Sequence, residues 1–267
     1  MRDHLLQKGK WDRAAPAAAD GSHGELLSCG DMVLMSIPEI HIRSDDVDRL
    51  AEEACGRRPE AVVFLSRHSA ASGIPTLTVH PIGNYGDADF GGRPGALVPP
   101  AAHLMTETLR EMSSRCGDLD FQVSYEVTHH GPWLETPTMF LEVGSDASRW
   151  GDRDAAARLV DSLLSARKAE DGDPVLIGVG GGHYAPQFTE MALQKRASFG
   201  HMVPNYALKG IDDEEKLKKV RLAADASGSE LIYMHRKSMK RSEARSLQEL
   251  LESDGMEVLS SRDLESL

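Results

Sequence analysis

The sequence predicts an α/β protein with three layers, α/β/α, around a mixed, largely parallel sheet. Short runs rich in Val, Ile and Leu end at Gly, Pro or Asp, which is typical of strands buried on both faces. Helical periodicity lies between these runs, and such alternation places helices on both sides of a sheet. The predicted strands cover residues 32–37, 61–66, 76–80, 121–128, 138–143, 175–179 and 230–234.

The helices between the strands are predicted from their apolar faces and from their starts. The helix over 45–55 carries Val47, Leu50 and Ala54 on one face. A helix that ends at residue 112 begins at a proline, 99 or 100, because proline is tolerated in a first turn. Further predictions are helices over 152–168, 212–226 and 242–253, a loop over 14–24, and one single domain over 1–267.

Composition excludes several classes of protein. The chain is 40% hydrophobic and 27% charged, as globular proteins are and disordered ones are not. No apolar run approaches the roughly 20 residues that span a bilayer, and the first residues do not resemble a secretion signal. Three widely spaced cysteines, Cys29, Cys55 and Cys116, predict reduced thiols in a cytoplasmic protein without membrane contact.

The net charge of −12 is unevenly distributed along the chain. Residues 209–245 contain ten Lys or Arg against seven Asp or Glu, a local balance of +3. Within them, Lys237, Lys240 and Arg241 are candidates for binding phosphate groups, since screening confines surface fields to about 10 Å. The alternative is a solvated helix face with no partner.

The most informative stretch is YEVTHHGP at 125–132, a strand that ends in a turn with two imidazoles. Polar side chains at strand ends of an α/β sheet project into the crevice where ligands bind. Glu126, His129 and His130 are therefore candidate catalytic residues, because imidazole serves as a base, a proton shuttle or a zinc ligand. Turn histidines bonded to nearby backbone are the alternative.

A second strand ends in GVGGGHYAP at 178–186. It lacks the third glycine of a dinucleotide fingerprint, because His183 occupies that position. The glycines allow close approach of a ligand, and the N–H groups of Gly181 and Gly182 are candidates to stabilise an oxyanion. Glu190, one turn into the next helix, is a candidate acid or metal ligand.

Two more strand-like runs end in histidine, at His68 and His80. Two or three such imidazoles with a carboxylate could form a catalytic zinc site that leaves one position for water. The HExxH spacing is absent, and Ser66 and Ser69 lack the GxSxG context of a nucleophile.

The chain resembles the archaeal and plant D-aminoacyl-tRNA deacylases. The resemblance runs from about residue 25 to 245 and is carried by FLSRH at 64–68, TVHPIGN at 78–84, YEVTHHGP at 125–132, EVGS at 142–145 and GVGGGHYAP at 178–186. It implies a phosphorylase/hydrolase-like fold similar to peptidyl-tRNA hydrolase, a zinc requirement, and hydrolysis of the ester between a D-amino acid and the terminal ribose of tRNA. It also implies a first strand that this sequence lacks.

On this interpretation a water polarised by Zn²⁺ or by a histidine–carboxylate pair attacks the ester carbonyl. The expected metal ligands are His80, His130, His183 and Glu190. His68 and Asn84 are expected to contact the substrate at the acceptor end of the tRNA, and Lys237, Lys240 and Arg241 to hold its phosphates. The protein is expected to act as a cytoplasmic monomer.

The residues alone leave two alternative functions open. A metal-dependent peptidase or amidohydrolase could use the same histidines at the ends of its strands. A non-catalytic tRNA-binding module could use them to stack on bases or to bind phosphate.

Overall fold

The computed structural model describes residues 1–70, 73–166 and 172–267 and confirms an α/β fold. The strands of the described residues are β1 (Asp12–Ala15), β2 (Leu26–Cys29), β3 (Met32–Met35), β4 (Val62–Arg67), β5 (Thr76–His80), β6 (Gln122–Tyr125), β7 (Thr138–Val143), β8 (Val175–Val179), β9 (Ser198–Val203), β10 (Leu231–Met234) and β11 (Glu257–Leu259). The α-helices are α1 (Arg2–Gln7), α2 (Val47–Cys55), α3 (Ala102–Arg115), α4 (Arg153–Ala166), α5 (Pro186–Gln194), α6 (Asn205–Leu208), α7 (Asp213–Ser227) and α8 (Arg241–Ser253). Short 3₁₀ turns lie at His41–Arg43 and Arg236–Ser238.

Two four-stranded sheets form the centre of the fold. The first has the order β4-β7-β5-β6 and is mixed, because β5 and β7 are antiparallel while the outer pairs are parallel. The second has the order β11-β10-β8-β9 and is parallel. The sheets meet just beyond β6, where Thr128 N–H donates to Met202 O (3.2 Å) and Met202 N–H donates to Thr128 Oγ1 (2.9 Å). The remaining strands, β1-β2-β3, form a small antiparallel sheet.

Helices cover both faces of these sheets, as the three-layer prediction requires. On one face α3, α4 and α5 pack against alternate side chains such as Met139 and Leu141 of β7. On the other face α2 packs over Phe140, and α7 and α8 pack over Ile177 of β8. Successive side chains of a strand point to opposite faces, so Glu142 shares the α2 face with Phe140. None of the described helices combines the length and apolarity needed to cross a bilayer.

Every predicted strand and helix is present within a few residues, and four strands were not predicted. The predicted loop over 14–24 is wrong at its start, because residues 14 and 15 belong to β1, which pairs with β2. β9 contains Gly200 and His201, and β11 has three residues, so neither shows a strand-like pattern. Pairing with a neighbour defines such strands more than intrinsic propensity does. Residues 167–168 of one predicted helix lie outside the described residues.

Similarity to peptidyl-tRNA hydrolase, the absence of a first strand and the single domain over 1–267 stay predictions. The described chain begins with α1, which lies against α4 through an ion pair between Lys8 and Asp161 (2.6 Å).

A buried carboxylate, Asp48, ties α2 to the segment before β7. Its Oδ2 accepts hydrogen bonds from the backbone N–H groups of Glu135 (3.1 Å) and Thr136 (3.0 Å), and it lies 3.1 Å from Arg58 Nη2. Burial alone would raise the pKa of Asp48, but hydrogen bonds from Thr136, Glu135 and Arg49 hold it below its usual value. The charged form of Asp48 therefore stabilises the folded state.

We expect Asp48→Asn to lower the free energy of unfolding at pH 7 by about 2–3 kcal/mol, because it removes charge-assisted hydrogen bonds at a buried site. The folded-state pKa is depressed, so the contribution is complete above pH about 4 and is lost as the pH falls through the folded-state pKa. Urea unfolding of both proteins between pH 7 and pH 3 measures this difference. The control is Asp120→Asn, because that side chain is 86% exposed. An equal effect of both substitutions at pH 7 would contradict the assignment.

Candidate active site

Five imidazoles and two carboxylates from different strands converge at one cavity. The imidazole rings form a continuous cluster, with centroid separations of 4.3 Å from His80 to His129, 4.4 Å from His129 to His130, and 4.7 Å from His129 to His183. His68 stacks 5.4 Å from His183. The prediction that separate strand ends bring their histidines together is confirmed.

Glu126 lies at the centre of this cluster and is completely buried. One of its oxygens, Oε2, lies 3.0 Å from His183 Nε2 and 3.4 Å from His129 Nε2. The other, Oε1, lies 3.4 Å from His68 Nδ1. The strand end after β6 thus supplies one carboxylate that faces three imidazoles.

Glu142 is the second buried carboxylate, and sequence reasoning did not select it as a site residue. Its Oε2 lies 3.5 Å from His68 Nδ1 and 3.6 Å from His80 Nε2. Strand register places it beside Ser66 of β4 and Thr78 of β5. The available signal was an acidic residue inside TMFLEV, a run that is otherwise typical of a buried strand.

These carboxylate oxygens are close to nitrogens but lack hydrogen bonds. Both oxygens of Glu126, Oε2 of Glu142 and Nε2 of His80 are buried without a hydrogen-bond partner among the described residues. Buried polar atoms are normally paired, so an orphaned set suits a bound cation. Three groups of side chains have candidate ligand atoms within 4.8 Å of one another: His80–His129–His130, His68–Glu126–His183 and His80–Glu126–Glu142.

Backbone carbonyls fix the orientation of three of the rings. Nδ1 of His80 donates to Pro81 O (3.1 Å), Nδ1 of His129 to Val127 O (2.7 Å), and Nδ1 of His130 to Gly131 O (2.6 Å). A carbonyl can only accept, so each Nδ1 carries the proton and the neutral ring presents Nε2 as a lone pair. Carbonyls that orient histidines in this way are typical of metal sites.

Burial and neighbouring charges shift the pKa values of these imidazoles in opposite directions. Burial would lower the pKa of His68 and His80, but the two nearby glutamates raise both. Burial and the neighbouring histidines lower the pKa of His129 well below its usual value and that of His130 to about 4. Burial would raise the pKa of Glu126, yet His183 and His80 lower it. At neutral pH the carboxylate is therefore ionised while His129 and His130 are neutral.

His130 has a left-handed backbone conformation, with φ of 45°. This conformation is uncommon for a residue with a side chain, although histidine adopts it more often than most. Strain of this kind concentrates at functional sites. Here it allows adjacent histidines at the end of one strand to contact the same cluster.

The glycine loop, residues 180–182, was predicted to stabilise an oxyanion through its N–H groups. Gly180 N–H donates to Val203 O (2.8 Å), and Gly181 N–H donates to Ser238 Oγ (2.9 Å). Because both N–H groups already donate within the protein, neither is free to bind an oxyanion. The prediction that the Gly181 N–H stabilises an oxyanion is therefore wrong. Gly182 is exposed, and its N–H makes no hydrogen bond within the described part of the chain. The loop folds against the 3₁₀ turn Arg236–Ser238 and carries His183 to the cluster.

Two predicted site residues lie outside the cluster. Glu190 is on α5, where its carboxylate accepts from Gln194 Nε2 (3.2 Å), and it borders a different cavity. It belongs to none of the groups of candidate ligand atoms, so its assignment as a ligand of the same metal as His183 is wrong. Asn84 is buried, and its Nδ2 donates to Gly91 O (2.9 Å). It holds the loop beside the cavity.

The basic residues of the C-terminal third divide into two groups. On α7, Lys216 and Lys218 are paired with acids of the same helix, Asp213 (2.7 Å) and Glu215 (3.4 Å). Lys237 and Arg241 are exposed without an ion pair in the described residues, whereas Lys240 lies 3.7 Å from Glu243. The turn with Lys237 lies directly against the glycine loop.

Sequence reasoning missed three further residues at the site. Ser66 Oγ lies 2.7 Å from His41 Nε2, and both line the cavity. Burial lowers the pKa of His41, so this ring is neutral where it meets the Ser66 hydroxyl. Tyr184 Oη lies 3.3 Å from His68 Nε2. His41 comes from a 3₁₀ turn about 25 residues before Ser66, and no local pattern indicated the contact.

Comparisons with known proteins agree in one description. The model of a family described as D-aminoacyl-tRNA deacylase matches residues 55–259. The D-aminoacyl-tRNA deacylase of Methanococcoides burtonii is 36% identical over 269 residues, which cover 100% of this chain and 55% of that protein. That of Methanosarcina mazei is 35% identical, over 99% of this chain and 88% of that protein. The chain thus spans about half the length of the first relative and most of the second.

A solved structure has the same fold. The crystal structure of a conserved protein of unknown function superimposes with a TM-score of 0.84 at 32% sequence identity. The superposition covers 99% of this chain and 91% of that one.

The left-handed backbone of His130 predicts an unusual order of stability. We expect His130→Gly to be more stable than His130→Ala by about 1 kcal/mol, because glycine adopts positive φ without strain. Urea unfolding of the two variants measures the difference. At Glu111, inside α3, the same pair of substitutions should give the opposite order by about 1 kcal/mol. An alanine variant at position 130 as stable as the glycine variant would contradict the strain.

Proposed function

The chain belongs to the D-aminoacyl-tRNA deacylase family, and on that premise we propose that it hydrolyses the ester between a D-amino acid and the terminal ribose of tRNA. The products are a free D-amino acid and a tRNA that can be charged again. The observation that carries the proposal is the buried Glu126, which lies behind three imidazoles that line a cavity of about 1060 Å³. A binding module does not need ionised carboxylates and neutral imidazoles in contact.

His183 is the proposed base. It lines the cavity with a side chain that is 37% exposed, and its Nε2 faces Glu126 at 3.0 Å. With the proton of the neutral ring on Nε2, which faces the carboxylate without an aligned hydrogen bond, Nδ1 accepts a proton from water. The water oxygen forms the new bond to the ester carbon, and Glu126 stabilises the imidazolium.

The leaving group and the oxyanion need donors. When the ester C–O bond breaks, the imidazolium of His183 returns its proton to the ribose oxygen. The exposed N–H of Gly182 is the remaining donor of the glycine loop for the carbonyl oxygen as it becomes negative. Losing one such donor typically costs about 3 kcal/mol of transition-state stabilisation.

A zinc ion fits the residues beside this base. The Nε2 atoms of His80, His129 and His130 with a Glu142 oxygen would hold it, because their Nδ1–H bonds and orphaned oxygens leave lone pairs. Bound there, zinc would supply a Lewis acid for the ester carbonyl and lower the pKa of water. The acceptor end would then cross the glycine loop toward Lys237 and Arg241. A cytoplasmic location and a monomeric state remain parts of this proposal.

We expect the purified protein to deacylate D-tyrosyl-tRNA and to leave a panel of peptides uncleaved. His183→Ala should reduce kcat by about 100- to 10,000-fold, the usual contribution of a positioned base. His4→Ala is the control, because His4 lies on α1 and pairs with Asp161. Cleavage of peptides without deacylation would favour an amidohydrolase. Unchanged deacylation by His183→Ala would remove this residue from catalysis.

Zinc added to metal-stripped protein should raise its melting temperature. At 100 times its Kd a ligand adds about 2.7 kcal/mol to the free energy of unfolding. For a chain of this size that is a shift of roughly 5–10 °C. Glu142→Gln should reduce the shift, whereas Glu190→Gln should keep it, since only Glu142 belongs to a group of candidate ligands. Scanning calorimetry with and without zinc measures both. The reverse order would contradict the ligand assignment.

A further inference from the structure

The mouth of the cavity contains residues that the reaction at its floor does not use. Ile40, Arg67 and Phe90 line the same cavity as His183 and Glu142. Its volume, about 1060 Å³, is at the upper end for small-molecule pockets and exceeds what an ester and an amino acid need. The mouth therefore has room for another part of the substrate.

Phe90 is 67% exposed although its backbone is held in place. Its carbonyl accepts the N–H of Gly131 (3.2 Å), and the next carbonyl, of Gly91, accepts from Asn84 Nδ2 (2.9 Å). Arg43 Nη2 donates to Asp89 O (3.2 Å) on the other side. Ile40 is 55% exposed at the same mouth. Apolar side chains fixed in water at the edge of a cavity mark a binding surface.

Close packing holds this loop relative to the catalytic cluster. A Cβ on Gly91 would lie 1.7 Å from Ile42 O, and a Cβ on Gly131 would lie 2.1 Å from Gly92 N. Only glycine allows the loop to pass this close to its neighbours. The loop that contains Phe90 and Gly91 therefore packs between the turn that follows Ile40 and the turn that follows His130. The ring of Phe90 is fixed at its attachment point before any ligand binds.

Arg67 is a fixed cation at the same mouth. Its guanidinium carbon lies 4.5 Å from the centre of the Trp150 ring, and Trp150 Nε1 donates to His68 O (2.7 Å). In the described residues Arg67 forms no ion pair, unlike Arg58 and Arg110, which contact carboxylates. An arginine that stacks on an aromatic ring and forms no ion pair with a carboxylate is suited to binding phosphate.

We propose that the mouth is a subsite for the terminal nucleotide of tRNA, in which Phe90 and Ile40 cover the base and Arg67 binds the phosphate on its 5′ side. This rests on the proposed function, because the ester to be cleaved is on the ribose of that nucleotide. When the ester lies at His183, the base and the 5′ phosphate of the terminal nucleotide lie within one nucleotide's length of the cavity floor. Stacking of a base on an aromatic ring contributes about 1–3 kcal/mol.

The test uses 5′-AMP and adenosine as probes, with binding measured by calorimetry and no turnover required. Wild-type protein should bind 5′-AMP more tightly than adenosine. Arg67→Gln should remove that difference, and Phe90→Ala should weaken both ligands by about 5- to 150-fold. Arg149→Gln is the matched control, because Arg149 also lies on an aromatic ring, 5.6 Å from the centre of Phe121, but pairs with Asp120. Val33→Ala controls for loss of an exposed apolar side chain.

Steady-state kinetics show whether Phe90 covers the terminal nucleobase of the tRNA or the side chain of the amino acid. Phe90→Ala should raise KM equally for D-tyrosyl- and D-alanyl-tRNA, with little change in kcat. A loss confined to D-tyrosyl-tRNA would overturn the assignment and give Phe90 to the amino acid. Normal deacylation without measurable 5′-AMP binding would also overturn it. Binding of 5′-AMP with the expected losses in the variants, but no deacylation, would support the subsite and reject the proposed function.

Discussion

The structure of this site depends on two carboxylates that are buried inside a β-sheet. Glu126 and Glu142 are 0% and 2% exposed, and no strand neighbour donates an aligned hydrogen bond to the orphaned oxygens. Ionised carboxylates in such surroundings are costly unless positive charge lies close to them. His68 supplies part of that charge, since the nearby glutamates raise its pKa. A cation among the same atoms would supply the rest.

Backbone atoms perform most of the positioning around these charges. Three Nδ1–H groups donate to carbonyls one or two residues away, so each ring orientation follows from its own turn. The turns are held in place where the two sheets meet at Thr128 and Met202. His201 supports this junction, because its Nδ1 lies 3.0 Å from Thr128 Oγ1 and its Nε2 lies 2.9 Å from Val98 O. Its pKa is lowered to about 3 by burial, so it is neutral.

An acidic chain can bind a polyanion when its cations are local and unpaired. The net charge is −12, and most arginines of the described residues contact carboxylates, as Arg158 does with Asp118 and Asp154. Arg67, Lys237 and Arg241 have no such partner in the described residues. Screening limits the repulsion from distant acids, so these cations can attract phosphate groups locally. Glu142 lines the inner part of the cavity, whereas the exposed part carries Arg67 beside Ile40, Phe90 and one acid, Glu39.

The sequence by itself determined the α/β class, most strands and helices, and the histidines, because apolar runs and strand-end turns are local signals. Those signals also identified Glu126, which follows its strand directly. Only the tertiary structure decided which carboxylate completes the cluster. Glu190 follows His183 closely in sequence, but the helix directs it to another cavity, whereas strand register brings Glu142 to His80. The contact of His41 with Ser66 and the exposure of Phe90 likewise follow from packing between distant segments. Register and close packing are properties of several strands together, so no single stretch of sequence records them.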